Sequence, residues 1–81
     1  MTLNCLVVDD EPVARKGIAN YVEQTPFLKL IATCKNALEA NDCLSNEDID
    51  LLFLDIQMPD LTGIEFIESL KNPPAFIFTT A

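Results

Sequence analysis

Apolar residues along this chain follow two patterns, short unbroken runs and longer stretches in which they recur every third or fourth position. An unbroken apolar run of strand length is typical of a strand buried on both faces of a sheet. Four such runs occur, and the strands that they predict are Leu3–Val8, Leu28–Cys34, Leu51–Leu54 and Ala75–Thr79.

The stretches between these strands have the spacing of amphipathic helices. The first predicted helix runs from Pro12 to about Gln24 and ends at Thr25-Pro26, because proline disfavours helical backbone in the residue before it. Asn36 is suited to cap a second helix, and the polar segment 45–50 connects that helix to the third strand. The apolar positions of these helices are Ala14, Ile18, Tyr21 and Val22 in the first and Ala37, Ala40 and Leu44 in the second.

A third helix is predicted after the loop Ile56–Thr62. It begins at Gly63, carries Phe66, Ile67 and Leu70 on one face, and ends near Lys71, before the turn at residues 72–74. Strands and helices then alternate along the whole chain, with short loops. This order predicts an α/β fold, a doubly wound parallel sheet with helices on both faces and right-handed crossovers.

Carboxylates stop two of the predicted strands. Asp9 and Asp10 follow the first strand, and Asp55 follows the third. Ligands of open parallel sheets bind beyond the carboxyl ends of the strands, so the three side chains converge there if these strands are neighbours. A divalent cation would relieve their mutual repulsion. Oxygen ligands without His or Cys favour Mg²⁺ before Ca²⁺.

An aspartate beside such a cation is also able to act as a nucleophile and form an aspartyl phosphate. A hydroxyl at the end of the fourth strand, Thr79 or Thr80, would then reach the phosphate oxygens, and strand alternation lets only one of the two face the site. Taken singly, these residues have simpler explanations. Asp9-Asp10-Glu11 suits the positive end of a helix, and Asp55 suits a cap or a turn.

The charge balance restricts the partners of the chain. It has 13 acidic and 5 basic residues, a net charge of −8, so it should repel nucleic acid and anionic membranes and suit cations or a basic partner. Acidity alone also keeps a protein soluble. Three cysteines without a CxxC pair, no His and no signal-peptide pattern argue against zinc and favour reduced thiols in a cytoplasmic protein. No apolar run approaches the ~20 residues that span a bilayer.

Three ordered motifs resemble those of receiver domains in two-component response regulators. They are LVVDDEP at residues 6–12, LDIQMPDLTG at residues 54–63 and FTTA at residues 78–81. The middle motif is most similar to regulators whose output is a LytTR-type DNA-binding domain. The resemblance covers the whole chain and implies a flavodoxin-like sheet with the strand order 2-1-3-4.

The resemblance also implies a role for each matching residue. Asp55 matches the phosphoacceptor, Asp10 the main metal-ligating carboxylate, and Asp9 its neighbour, which acts partly through water. Gln57 stands where a backbone carbonyl completes the metal shell, and Thr80 matches the switch hydroxyl. The residues that match the small or loop-shaping positions around the site are Met58, Pro59, Gly63 and Ala81.

Receiver domains of this family continue beyond the matched motifs, with a fourth helix, a fifth strand and a fifth helix. Residues 1–81 therefore match the N-terminal portion of such a domain, and the family's phosphate-pairing lysine has no counterpart in them. Lys71 is a poor substitute, because it lies at the far end of the third helix. Phe76–Phe78 would form an unprotected edge strand, so we expect self-association through this edge or marginal folding.

The function implied by the resemblance is that of a phosphoacceptor domain rather than a conventional enzyme. A sensor histidine kinase would phosphorylate Asp55, and the domain would catalyse its own phosphorylation and dephosphorylation. The missing lysine leaves open a non-phosphorylated interaction module or an inert fragment. An aspartate-nucleophile phosphatase fits less well, since Gln57 stands where those enzymes carry a second Asp. For Arg15 and Lys16 there are two interpretations: they form part of a kinase-docking face, or they are simply solvated charges.

Overall fold

In the part of the chain that the structure describes, seven strands and helices alternate in the predicted order. The computed structural model describes residues 1–59 and 61–79. The elements are β1 Leu3–Val8, α1 Pro12–Gln24, β2 Leu28–Cys34, α2 Ala37–Asn46, β3 Leu51–Asp55, α3 Gly63–Ser69 and β4 Ala75–Thr79.

The described strands form one parallel sheet in the order β2-β1-β3-β4. This arrangement confirms the doubly wound α/β fold and the flavodoxin-like strand order. Val8 pairs with Leu54 across β1 and β3, and Asp55 pairs with Thr79 across β3 and β4. Because β1 and β3 are adjacent and Val8 pairs with Leu54, the residues that follow the two strands lie next to each other.

A hydrophobic core lies on each face of the sheet, since alternate residues of a strand point to opposite faces. The core under α2 and α3 contains the buried residues Leu6, Val8, Cys34, Ala40, Leu52, Leu54, Met58 and Phe66. The core under α1 contains Cys5, Val7 and Val22, with Ile18, Leu28, Leu30 and Phe53 packed around them. The unbroken apolar runs in the sequence therefore correspond to strands that have a hydrophobic core on each face.

Side-chain caps set where the first two helices begin. The Glu11 carboxylate accepts the N–H of Ala14 at 2.8 Å and so caps α1, and the Asn36 side chain accepts the N–H of Glu39 at 2.8 Å and caps α2. The predicted end of α2 was too early, because the helix continues to Asn46. Ser45 and Asn46 lie inside it and return side-chain hydrogen bonds to the carbonyls one turn earlier.

The third helix is shorter than predicted. Thr62 and Glu65 form a capping box at its start, each side chain accepting the backbone N–H of the other residue. The helix ends at Ser69 instead of near Lys71, because Leu70 has extended backbone and directs its side chain into the core under α2 and α3.

The two edges of the described sheet are β2 and β4. Phe76 and Ile77 of β4 are 40% and 47% exposed, so apolar side chains border one edge. Within residues 1–59 and 61–79, no helix has the length and apolar character required to cross a membrane.

Candidate functional site

Asp9, Asp10 and Asp55 meet at the carboxyl ends of β1 and β3. One carboxylate oxygen of each residue lies within 4.8 Å of those of the other two. The strand order explains this convergence, because β1 and β3 are adjacent and parallel, so their carboxyl ends lie at the same end of the sheet. The three carboxylates that the sequence singled out are therefore together in space.

Asp9 is the most firmly held of the three. Its side chain is 4% exposed, and its Oδ1 accepts the backbone N–H of Glu11 at 2.9 Å. Its own N–H donates to the carbonyl of Cys34 at 3.0 Å, and the Arg15 guanidinium donates to its carbonyl oxygen at 3.0 Å. These contacts fix the turn between β1 and α1, so the direction of the Asp9 carboxylate is set by the protein alone.

Asp55 is half-buried and lies against the other two carboxylates. Burial raises the pKa of its carboxyl group above the usual 3.8, the Gln57 N–H lowers it, and the charges of Asp9 and Asp10 raise it further. The Gln57 N–H donates to Oδ1 of Asp55 at 3.3 Å, a long hydrogen bond that only partly offsets the repulsion. The cluster therefore carries more negative charge than its own donors stabilise.

This donor set fits a hard divalent cation. All three side chains offer oxygen, and the chain has no His. Mg²⁺ is bound in proteins by one or two carboxylates together with several waters, and Asp10 and Asp55 both reach solvent, which leaves room for those waters. A cation there would also neutralise the like charges that raise the pKa of Asp55.

The loop from β3 to α3 holds the backbone of Asp55 against α3. Gly63 donates its N–H to the Ile56 carbonyl at 2.7 Å. A Cβ at Gly63 would overlap the carbonyl oxygen of Asp55 and lie 3.2 Å from the Ile56 Cα. Gly63 does not have a positive φ, so its backbone conformation does not require glycine. The lack of space beside Asp55 requires it instead. Met58, 8% exposed, anchors the same loop in the core.

The other predicted site residues have different outcomes. The N–H of Gln57 lies at the cluster, but its role as a metal ligand stays a prediction. Thr80 and Ala81 lie outside the described residues, so the switch hydroxyl stays a prediction too. Thr79 borders an apolar groove between α1 and β4. Lys71 lines a pocket with Glu47 and Pro74, beside the start of β4, whereas the three carboxylates lie at the carboxyl ends of β1 and β3.

Two contacts at the site were not foreseen from the sequence. Arg15 was interpreted as part of a docking face or as a solvated charge, whereas it is half-buried and bonded to the Asp9 carbonyl. The sequence places Glu11 with the acidic pair at the positive end of a helix, and the structure adds a direct hydrogen bond through which its carboxylate caps α1. The available signal was the position of Glu11 directly before Pro12, since proline is favoured at the first helical position.

Residues 5–81 match the family model of the response regulator receiver domain. An uncharacterized response regulatory protein of Shewanella oneidensis is 41% identical over 81 residues, which cover 98% of this chain and 34% of the relative. The sensory transduction protein LytT of Enterococcus faecalis is 37% identical over 82 residues, with the same two coverages. The chain thus spans about a third of the length of these relatives.

Solved structures agree with these sequence matches. The MaeR response regulator bound to beryllium trifluoride superposes with a TM-score of 0.88 at 32% sequence identity. The match covers 100% of this chain and 68% of the MaeR chain.

Proposed function

This chain belongs to the response regulator receiver domain family of two-component signalling, and from that premise we propose that Asp55 accepts a phosphoryl group from a histidine kinase in a Mg²⁺-dependent reaction. The observation that supports the proposal is the close approach of the Asp9, Asp10 and Asp55 carboxylates at the carboxyl ends of β1 and β3. A cluster with this much uncompensated negative charge is suited to bind a cation and, through it, a phosphoryl group.

In this proposal Asp9, Asp10 and Asp55 hold the Mg²⁺, and the backbone carbonyl of Gln57 completes the protein ligands. The ion, when bound, supplies positive charge that offsets the developing charge on the transferring phosphoryl group. The buried Asp9 is the fixed member of the cluster, because its backbone and side chain are held by hydrogen bonds with Cys34, Glu11 and Arg15.

The transfer step is a displacement at phosphorus. A carboxylate oxygen of Asp55 forms the new P–O bond, the P–N bond of the phosphohistidine breaks, and the imidazole nitrogen keeps the electron pair. Hydrolysis resets the domain when a water oxygen attacks phosphorus, which releases inorganic phosphate and restores the Asp55 carboxylate. The Thr80 hydroxyl is proposed to donate to the phosphoryl oxygens in the phosphorylated state.

The similarity to MaeR supports this reading of the site. MaeR was solved with beryllium trifluoride bound, and beryllium trifluoride is a phosphomimetic. A domain with the same fold and 32% identical sequence therefore accommodates a phosphoryl-like group. That this chain does so at Asp55 is our proposal.

Intact-mass spectrometry tests the proposal directly. The 81-residue chain would be incubated with Mg²⁺ and phosphoramidate, whose P–N bond resembles that of phosphohistidine. We expect a mass increase of one phosphoryl group that disappears when EDTA removes the metal. Asp55→Asn should give no adduct, whereas Asp42→Asn, the same change on the exposed surface of α2, should give the normal adduct.

Two results would count against the proposal. A folded wild-type chain that gains no phosphoryl group would show that the carboxylate cluster alone does not support transfer. An adduct that persists in Asp55→Asn would place the phosphoryl group on another residue.

A second candidate function is a non-phosphorylated interaction module. The position of Lys71 favours it, because this lysine lies beside the start of β4, away from the carboxyl ends of the strands, and is not placed to pair with a phosphoryl group on Asp55. The mass experiment separates the two functions, since an interaction module binds its partner without forming an acyl phosphate.

The activity of a longer protein is a separate proposal. The match covers 34% of the length of the curated relatives, among them proteins named as transcriptional regulatory proteins. By analogy with them we propose that a protein carrying this domain controls transcription through a LytTR-type DNA-binding domain outside the matched region. The acidic domain itself is not proposed to contact nucleic acid.

A further inference from the structure

Arg15 is a positive charge in an unfavourable place. It is the fourth residue of α1, close to the positive end of the helix dipole, and its side chain is half-buried. A cation is disfavoured at a helix N-terminus, and burial removes part of the water around the guanidinium. A local interaction must therefore offset both costs.

That interaction is with the turn between β1 and α1, residues 9–11. The guanidinium Nη1 of Arg15 donates to the carbonyl oxygen of Asp9 at 3.0 Å, and the backbone N–H of Arg15 donates to the Glu11 carbonyl at 2.9 Å. Hydrogen bonds from a charged donor are about twice as strong as neutral ones. One residue of α1 therefore holds two carbonyl groups of this turn.

The Asp9 carbonyl belongs to the peptide group that joins Asp9 to Asp10. A peptide group is planar and rigid, so the direction of this carbonyl fixes the orientation of the chain between the two residues. The N–H of Asp9 is held separately, since it donates to the Cys34 carbonyl of β2 at 3.0 Å. The contact with Arg15 therefore restrains how the Asp9 and Asp10 carboxylates lie relative to one another.

We propose that Arg15 is a positioning residue of the proposed magnesium site: it holds the peptide between Asp9 and Asp10 and thereby raises the affinity of the cluster for Mg²⁺. The inference rests on the function proposed above, because it concerns the same three carboxylates. Residues that orient metal ligands from outside the coordination shell commonly account for roughly 10–100-fold in metal affinity.

The positive charge of Arg15 would by itself have the opposite effect. A cation beside the cluster repels Mg²⁺, so its removal should tighten Mg²⁺ binding if charge alone mattered. If Arg15 positions the turn, its removal should weaken Mg²⁺ binding although the cluster becomes more negative. The direction of the change in affinity therefore separates the two roles.

Isothermal titration calorimetry of Mg²⁺ into the metal-free 81-residue chain measures this direction. We expect Arg15→Met, which removes the charge and the N–H donors, to raise the Kd for Mg²⁺ roughly tenfold or more. Arg15→Lys keeps a charged donor for the Asp9 carbonyl and should restore most of the affinity. If Arg15→Met does not fold, Arg15→Gln replaces it with the same expectation, because the shorter amide leaves the carbonyl without its charged donor.

Lys35→Met is the matched control for a lost positive charge. Lys35 is exposed and lines a groove together with Asp10, so its charge lies at the same end of the sheet as the cluster. This variant should bind Mg²⁺ as tightly as wild type or more tightly.

Two further readouts distinguish positioning from a general loss of stability. In phosphorylation by phosphoramidate, Arg15→Met should need roughly tenfold more Mg²⁺ for the half-maximal rate, with a rate close to wild type at saturating Mg²⁺. In the metal-free protein, the Glu11 amide, which donates to the Asp9 carboxylate at 2.9 Å, should exchange with solvent faster in Arg15→Met. Its exchange should increase by a larger factor than that of the amides of β3.

The outcomes separate this inference from the proposed function. Unchanged or tighter Mg²⁺ binding by a folded Arg15→Met would overturn the positioning role, and so would an equal weakening by Lys35→Met. A wild-type chain that binds Mg²⁺ with the expected dependence on Arg15 but gains no phosphoryl group would overturn the proposed function and support the inference. A folded wild-type chain that binds no Mg²⁺ would overturn both.

Discussion

At the residue scale, Gly63 shows how one missing side chain positions the proposed nucleophile. Gly63→Ala would place the new Cβ against the Asp55 carbonyl oxygen. This oxygen belongs to the backbone, so the clash is relieved only if the end of β3 shifts. We expect a loss of about 1–3 kcal/mol in the free energy of unfolding, together with much slower phosphorylation of Asp55. Urea unfolding and the rate of mass increase with a phosphodonor would measure the two effects.

Gly17 provides the matched control for this substitution. It lies within α1, and a Cβ built there meets nothing within 4 Å. Gly17→Ala should therefore raise stability by up to about 1 kcal/mol through helix propensity and leave phosphorylation unchanged. Equal effects of the two substitutions would show that the space beside Asp55 is not the reason for glycine at position 63.

The residues of the site could be predicted to different extents. Asp9, Asp10 and Asp55 were identified because each directly follows an apolar run, and strand ends are where α/β sheets bind ligands. The steric demand at Gly63 was not predictable, because it depends on how closely α3 approaches β3. The contact between Arg15 and the Asp9 carbonyl likewise depends on the turn that brings α1 back over the strand.

At the element scale, α3 depends on its capping box. The helix has only 7 residues, and it starts immediately after the loop that follows Asp55. Thr62→Ala removes the hydroxyl that accepts the Glu65 N–H at 3.1 Å, so we expect a loss of about 1 kcal/mol in stability. Thr62→Ser keeps the acceptor and should retain most of that stability. Chemical denaturation of the two variants would measure the difference, and equal losses would contradict the capping explanation.

Element boundaries were less predictable than the elements themselves. Apolar spacing located all three helices, but α2 continues through Ser45 and Asn46, whose polar side chains bond to carbonyls one turn earlier. The third helix stops before Leu70, because that side chain reaches the core from extended backbone. Both endings are decided by contacts that periodicity does not contain.

At the scale of the whole molecule, the fold followed from the order of the elements and the family motifs. Unbroken apolar strands separated by helices leave few arrangements other than a parallel sheet covered on both faces. Neighbouring β1 and β3 then bring separate parts of the chain to one acidic site. Stability and function are coupled there, because the carboxylates that suit a cation repel one another in the metal-free protein.

This coupling predicts how stability depends on pH when EDTA keeps the protein metal-free. The pKa of Asp55 is raised in the folded state, mainly by burial, so at intermediate pH the folded chain binds more protons than the unfolded chain. The contribution of Asp55 to stability therefore falls as pH rises from its usual pKa of 3.8 through the raised value. Asp55→Asn removes this fall, so the variant should gain stability over wild type toward neutral pH and differ little below the usual pKa.

Urea unfolding of both proteins across that pH range would measure the difference, with Glu68→Gln on the exposed face of α3 as the control for a lost negative charge. The control should show a smaller gain. Adding Mg²⁺ at constant ionic strength should stabilise wild type more than Asp55→Asn, because bound cation favours the folded state and the variant lacks one of the three carboxylates. A metal-free variant no more stable than wild type at neutral pH would mean that neither burial nor the charges of Asp9 and Asp10 disfavour the Asp55 carboxylate in the folded protein, and the prediction would then be wrong.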